Sequence, residues 1–262
     1  MNNLRTYGTA PFRVAVIHGG PGAPGEMAPV ARELARSCGV LEPLQTCATL
    51  EGQVQELQGV LEHYGTCPVT LIGFSWGAIL SFIFTARYPH AITKLILVGS
   101  GVFEDRYAVD IARTRFERLS ADEQRLFLTV AGMLDDLREK NKDHIFAELA
   151  QVFSRTDAYD PLPLPDEVIA YQYDVFRKVW NDAEELRKNG QLLALGRRIP
   201  CPVVAIHGDY DPHPANGVRV PLSRVLSNFR FILLRQCGHR PWIERAARDR
   251  FYRILMQELE EG

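Results

Sequence analysis

The sequence predicts an α/β protein: a mostly parallel sheet of about six strands, covered by helices on both faces and interrupted by one helical insertion. Three observations predict it. Short apolar runs alternate with helical patterns from Arg13 to Gly101, the rhythm of a parallel sheet built from strand–helix–strand units. From Phe103 to about Arg198 that rhythm stops, and charged amphipathic helical patterns follow without a convincing buried strand. The strand pattern returns at Val203 and closes with a helix ending near Leu259. The expected division is a core of residues 1–102 and 199–262 with a cap of residues 103–198.

In chain order, Met1 to Pro11 is polar and reads as a short lead-in. Arg13 to Ile17 is the first core strand, and it runs into His18-Gly19-Gly20-Pro21-Gly22. Glu26 to Ala35 is expected to be helical, with Met27, Val30 and Leu34 near one face. Val40 to Leu44 is the second strand, followed by a helix over Glu51 to His63 with Val54, Leu57 and Leu61 at helical spacing. Val69 to Ile72 is the third strand. Ile79 to Ala86 is a mostly apolar helix that Tyr88-Pro89 ends. Leu95 to Val98 is the fourth strand.

In the insertion, the helical pieces are Arg113 to Leu119, Glu123 to Glu139, Ile145 to Phe153 and Glu167 to Arg187. Asp160-Pro-Leu-Pro-Leu-Pro165 separates two of them. Val203 to Ile206 and Phe231 to Leu234 are the last strands, with a short helix over Pro221 to Leu226 between them. Trp242 to Leu259 closes the chain.

Composition narrows the class. The chain has 262 residues, enough for a sizeable core plus an insertion. Basic and acidic residues nearly balance at a formal charge of -2, and no basic stripe points to a nucleic-acid partner. Five cysteines without zinc-site pairing fit reduced thiols better than a disulfide framework. Met1 to Arg13 has no signal-type apolar run, and no segment reaches transmembrane length. The expectation is a cytoplasmic protein with no membrane partner. Its oligomeric state is left open.

The chemistry centres on Gly73-Phe74-Ser75-Trp76-Gly77, between a core strand and a helix. A serine at a sharp strand-to-helix turn has its hydroxyl pushed forward, and glycines two positions either side let backbone approach it. A serine hydroxyl is a weak nucleophile and needs a base, which needs an orienting acid. His239 lies just beyond the last strand and is the expected base. Asp211 and Asp209 both follow the preceding strand; Asp211 suits the acid role, whereas Asp209 could instead close its turn through backbone hydrogen bonds.

Backbone N–H groups of Trp76 and of Gly20, favoured over Gly19, are expected to stabilise the developing oxyanion. His18 is expected to hold its loop, together with Gly19, Pro21 and Gly22. A metal site from His207, Asp209, Asp211 and His213 is disfavoured by its spacing. No metal or organic cofactor is expected.

These motifs resemble the α/β-hydrolase superfamily, and most closely its proline iminopeptidase-like branch. The residues that carry the resemblance are His18 to Gly22, Gly73 to Gly77, the Gly-x-x-Asp from Gly208 to Asp211, and Gly238-His239. The resemblance implies an α/β-hydrolase fold in which the catalytic serine, aspartate and histidine fall on Ser75, Asp211 and His239. It departs from the branch at Phe74, where relatives carry glycine, and before the first core strand, where relatives carry an additional antiparallel hairpin.

The expected reaction is cleavage of a small ester or amide through an acyl-enzyme, with a small-molecule acyl substrate as partner. Alternatives are a proline iminopeptidase-like aminopeptidase, a carbon–carbon bond hydrolase or cofactor-free haloperoxidase, and a low-turnover binding protein on the same fold. Phe74, Phe116, Tyr171, Tyr173, Phe176 and Trp180 are candidates for the substrate pocket. The resemblance adds Glu184 and Glu185 as candidate partners of a substrate ammonium.

Overall fold

The computed structural model describes residues 3–136, 138–165 and 167–260. Among them lie seven strands: β1 (Leu4–Tyr7), β2 (Phe12–Ile17), β3 (Gly39–Pro43), β4 (Val69–Phe74), β5 (Ile92–Val98), β6 (Val203–Gly208) and β7 (Phe229–Leu234). They form one sheet in the order β1-β3-β2-β4-β5-β6-β7, parallel throughout except for β1.

The expected six strands are therefore seven. The stretch read as a lead-in supplies an edge strand, antiparallel to β3 with Leu4 opposite Pro43 and Tyr7 opposite Val40. Only Leu4 of its four residues is buried, so no apolar run announces it.

Central strands bury side chains on both faces, as a sheet with helices on each side requires. In β5, Leu95 and Leu97 join one core, while Ile96 and Val98 join the other. α1 (Ala28–Leu34) and α10 (Arg248–Glu260) cover the second face with Val30, Leu34, Phe251 and Leu255. α2 (Leu50–Tyr64) and α3 (Trp76–Arg87) cover the first with Leu57, Leu61, Phe82 and Phe84.

The cap lies between β5 and β6. Its helices are α4 (Val109–Glu117), α5 (Ala121–Asp135), α6 (Lys142–Thr156), α7 (Tyr173–Lys188) and the short α8 (Gln191–Ala194). A reciprocal cap between Ser120 and Glu123 starts α5. The helix expected to reach Glu139 ends at Asp135, and Leu137 on its path lies outside the described residues.

α7 starts six residues later than expected. Residues 167–172 are spent on the glycine-rich turn instead: Ile169 N donates to Pro24 O at 2.9 Å and Gln172 N to Gly22 O at 3.0 Å. The helix expected from Pro221 is longer, α9 (Asn216–Val225). The closing helix starts only at Arg248, because the chain first turns at Pro241–Ile243 and uses the Glu244 carboxylate elsewhere. Among the described residues, no helix is long and apolar enough to cross a membrane.

Candidate active site

β4 delivers Ser75 into a left-handed backbone conformation, φ 52° and ψ -112°, immediately before α3. Such a residue is strained, and the strain persists only where the surroundings enforce it. The enforcing contacts explain the two glycines. A Cβ on Gly73 would stand 2.2 Å from Gly77 O, and one on Gly77 would stand 2.3 Å from Ile17 O. Either substitution would push α3 off the sheet and move the hydroxyl.

The loop after β7 carries His239, and the loop after β6 carries Asp211. His239 Nε2 lies 3.0 Å from Ser75 Oγ, and its Nδ1–H donates to Asp211 Oδ2 at 2.7 Å. That is the nucleophile–base–acid chain expected from the sequence. Asp209 is exposed; its Oδ1 accepts from Cys237 N at 3.3 Å and closes the turn. The sequence left the two aspartates in competition, and the geometry decides for Asp211.

Asp211 is fully occupied. Its Oδ1 accepts from His213 N at 2.9 Å and from His213 Nδ1–H at 2.8 Å. His207 stands 3.5 Å from Oδ2 and donates from Nε2 to His213 O at 2.8 Å. The His213 ring also stacks on His239, with centroids 4.7 Å apart and planes 24° from parallel.

Burial alone would raise the Asp211 pKa, but the charges of His239, His213 and His207 and these hydrogen bonds hold it well below the usual carboxylate range. Burial also works against the His239 cation; the Asp211 charge and hydrogen bond, helped by Asp157, outweigh it and raise the His239 pKa above its ordinary value of 6.5. His213 has less support, and burial takes its pKa down to about 4. It is a neutral donor at neutral pH.

Cap residues complete the surroundings of the base. His239 N donates to Asp157 O at 2.8 Å. The Asp157 carboxylate is gripped by Arg115 of α4, with Nε 2.8 Å from Oδ1 and Nη2 2.6 Å from Oδ2. The buried Glu244 carboxylate accepts three backbone N–H groups, those of Gly238, Tyr159 and Asp160, each at 2.9 Å. It thereby ties the histidine loop to the segment after α6. Sequence reasoning missed Arg115, Asp157 and Glu244. Each reads there as an ordinary charged residue of an amphipathic segment, and no local pattern marks it.

These contacts predict a pH effect. His239 works as a base only when neutral, so kcat/KM should rise with pH through its folded-state pKa, above 6.5. The groups around it are Asp211 and His213 from the β6 loop, His207 near the end of β6, Asp157 and Arg115 from the cap, and Cys237, whose thiol burial pushes up and keeps uncharged. His213→Leu removes one donor from Asp211, concentrates the carboxylate charge on His239, and should move the acid limb to higher pH. His213→Asn places an amide N–H where Nδ1 stood and should keep the limb in place. A kcat/KM–pH profile of both variants checks this.

Ser75 and His239 open into a cavity of about 230 Å³ between core and cap. Its walls are largely apolar and aromatic, among them Phe74, Phe146, Phe153, Tyr171, Phe176 and Trp180. Phe74 is held by His239 and Trp242, with ring centroids at 4.8 and 4.7 Å. Trp180 packs edge-on to Trp76 at 6.2 Å. Of the expected pocket aromatics, Phe74, Tyr171, Phe176 and Trp180 line the cavity, and two do not. Phe116 packs against Phe127 at 5.9 Å, and Tyr173 is buried among Val130, Leu134 and Phe146 inside the cap.

Glu184 and Glu185 also stand away from the cavity. Glu184 pairs with Arg187 and Lys188, and Glu185 is exposed. The helix end that carries them faces solvent, because α7 turns its apolar stripe inward. Two other carboxylates line the cavity, Asp157 and Glu26.

His18 is fully buried and holds its loop: Nδ1–H donates to Gly19 O at 2.7 Å, and Nε2 accepts from Gln45 N at 3.1 Å. Burial takes its pKa down to about 4, so the ring is neutral. Gly20 lines the cavity beside Ser75, and Gly19, Pro21 and Gly22 are buried around it. Asp211, His213 and His239 bring nitrogen and oxygen atoms within 4.8 Å of one another, and the hydrogen bonds above already engage them.

Comparison with solved structures finds the same architecture. VinJ superposes with a TM-score of 0.70 at 20% identity, covering 98% of this chain and 94% of that one. A thermophilic esterase from Thermogutta terrifontis gives 0.68 at 18% identity, covering 98% and 92%. The proline iminopeptidase of Mycobacterium smegmatis gives 0.63 at 16% identity, covering 98% and 94%. At such identities the likeness is one of fold. None of the curated proteins matches by sequence. A sequence family does match, over residues 46–246, and its span holds all three residues of the Ser75–His239–Asp211 relay. By that match this chain belongs to the alpha/beta hydrolase fold family, and by its relay it is a serine hydrolase.

Proposed function

We propose that the protein hydrolyses small esters with an apolar acyl or alcohol part. The observation that carries this reading is the pairing of the triad with an aromatic cavity whose two carboxylates both have arginines beside them. Arg115 grips Asp157, and Arg240 Nη1 stands 3.9 Å from Glu26 Oε1. A substrate ammonium would have to compete with a guanidinium at either acid. Glu184 and Glu185 offer no alternative from outside the cavity.

In this reading Ser75 Oγ attacks the substrate carbonyl while His239 Nε2 takes its proton, and Asp211 holds the imidazolium that forms. The alcohol leaves with that proton. Water then attacks the acyl-enzyme with His239 again as base. The oxyanion is received by the N–H groups of Trp76 and Gly20. Trp76 is the first residue of α3, so its N–H is among those a helix leaves unbonded at its start. Gly20, at φ 107°, lines the same cavity as Ser75, which supports it as the second donor. A single donor of this kind is worth roughly 10²- to 10³-fold in kcat.

The aminopeptidase reading has its own support in the His18–Gly22 turn and in Ser75-Trp76-Gly77. One assay separates the two. kcat/KM is measured for matched ester and proline-amide substrates, each with a free or an acylated α-amine. The ester reading expects esters to be cleaved with little regard to the amine. A strong preference for the free amine, lost in Glu26→Gln, would replace it with the aminopeptidase reading.

A further inference from the structure

The cavity at Ser75 has a neighbour. A second one, of about 190 Å³, lies between the start of α1 and the Pro161–Pro165 segment, with Leu162, Leu164 and Trp242 on its walls. Its floor is built into the core: Leu162 N donates to Ile243 O at 2.7 Å, and Pro161 bridges to Glu244. Glu26, Ser154 and Arg240 line both cavities. These three side chains are the wall between them.

Arg240 spans that wall. It directly follows His239, so its backbone is fixed with the triad loop, while its side chain crosses to the cap. There Nη2 donates to Ser154 Oγ of α6, and Nη1 faces Glu26. The bar is polar, whereas the spaces it separates are largely walled by apolar side chains. It is also held by side chains alone. The backbone bonds that fix the triad loop, His239 N to Asp157 O and Gly238 N to Glu244, do not pass through it. The Arg240 side chain is 20% exposed and that of Glu26 16%, and at 3.9 Å Nη1 and Oε1 stand beyond hydrogen-bond distance. Arg240 can therefore swing aside without moving Ser75, His239 or Asp211.

We infer that the two cavities are one elongated substrate site divided by Arg240, and that the outer cavity takes the distal end of a long alkyl chain. The inference rests on the ester reading and adds a length limit to it. With the bar in place, substrates ending inside the inner cavity are favoured. With it removed, a longer chain continues past the wall into apolar surroundings.

The test is a kcat/KM series on p-nitrophenyl esters from acetate to dodecanoate. Wild type should favour the short members. Arg240→Ala should raise the long-to-short ratio by roughly tenfold for every two methylenes that gain burial. Adding Leu164→Trp, which fills the outer cavity, should return the ratio towards the wild-type value. Ser154→Ala loosens the bar from the cap side and should shift the ratio the same way, more weakly, with Arg240 still present. An unchanged ratio in acetate-active Arg240→Ala and Ser154→Ala would overturn the inference while leaving the ester reading standing. Absence of turnover on every ester by wild type would overturn the ester reading itself, and this inference with it.

Discussion

Ser75→Ala is expected to remove turnover almost entirely, by roughly 10⁶-fold in kcat, while the protein stays folded. The change deletes one oxygen and leaves the elbow's backbone contacts in place. Alanine, like serine, bears a Cβ at φ 52°, so no new strain enters. What survives is catalysis by oxyanion donors and substrate positioning, about 10³- to 10⁴-fold over water in serine hydrolases stripped of triad members. The measurement is paired. A fluorophosphonate should attach to Ser75 in wild type, with mass spectrometry placing the adduct there, and should not attach to the variant. Circular dichroism and thermal melting should match between the two proteins. An adduct on another residue, or full turnover without the Ser75 hydroxyl, would require a different nucleophile.

The central strands and the triad were legible in the sequence for the same physical reason. Strands buried on both faces must be apolar along most of their length, so β4, β5 and β6 stand out as runs. In a parallel sheet the chemistry collects at the strands' C-terminal ends, which placed Ser75 and Asp211 just after such runs, and His239 after β7, half-buried but apolar from Phe231 to Leu234. β1 was not legible because an edge strand with one buried residue carries no run. The cap was legible as helices but not as a pocket. Helical spacing identifies an apolar stripe without saying what the stripe meets. Tyr173, Phe176 and Trp180 share one stripe of α7; Tyr173 ends among cap residues, Phe176 reaches the cavity, and Trp180 reaches both the cavity and Trp76. Asp157 was invisible because its value comes from Arg115 and His239, 42 and 82 residues away.

Asp211→Asn should lower kcat by roughly 10⁴-fold with the fold intact, and the neighbouring hydrogen bonds say why. Two donors from His213, one of them a backbone N–H, converge on Asp211 Oδ1. An asparagine in this place must turn its carbonyl oxygen to those two donors, because an amide NH2 there would meet an N–H that cannot move. Its NH2 then faces His239 Nδ1. That nitrogen can no longer donate, so the ring proton shifts to Nε2, and Nε2–H cannot accept the proton of Ser75. The loss is one of tautomer, not of position. The charge of Asp211 also disappears, leaving burial to depress the His239 pKa, so the residual activity should have its acid limb below that of wild type. Asp209→Asn is the control: it changes an exposed carboxylate that accepts from Cys237 N, and asparagine's carbonyl can still accept there. Its effect on kcat should be within a few-fold. Kinetics and pH profiles of the two variants, side by side, check the assignment. A large loss in Asp209→Asn with little in Asp211→Asn would move the acid role to Asp209.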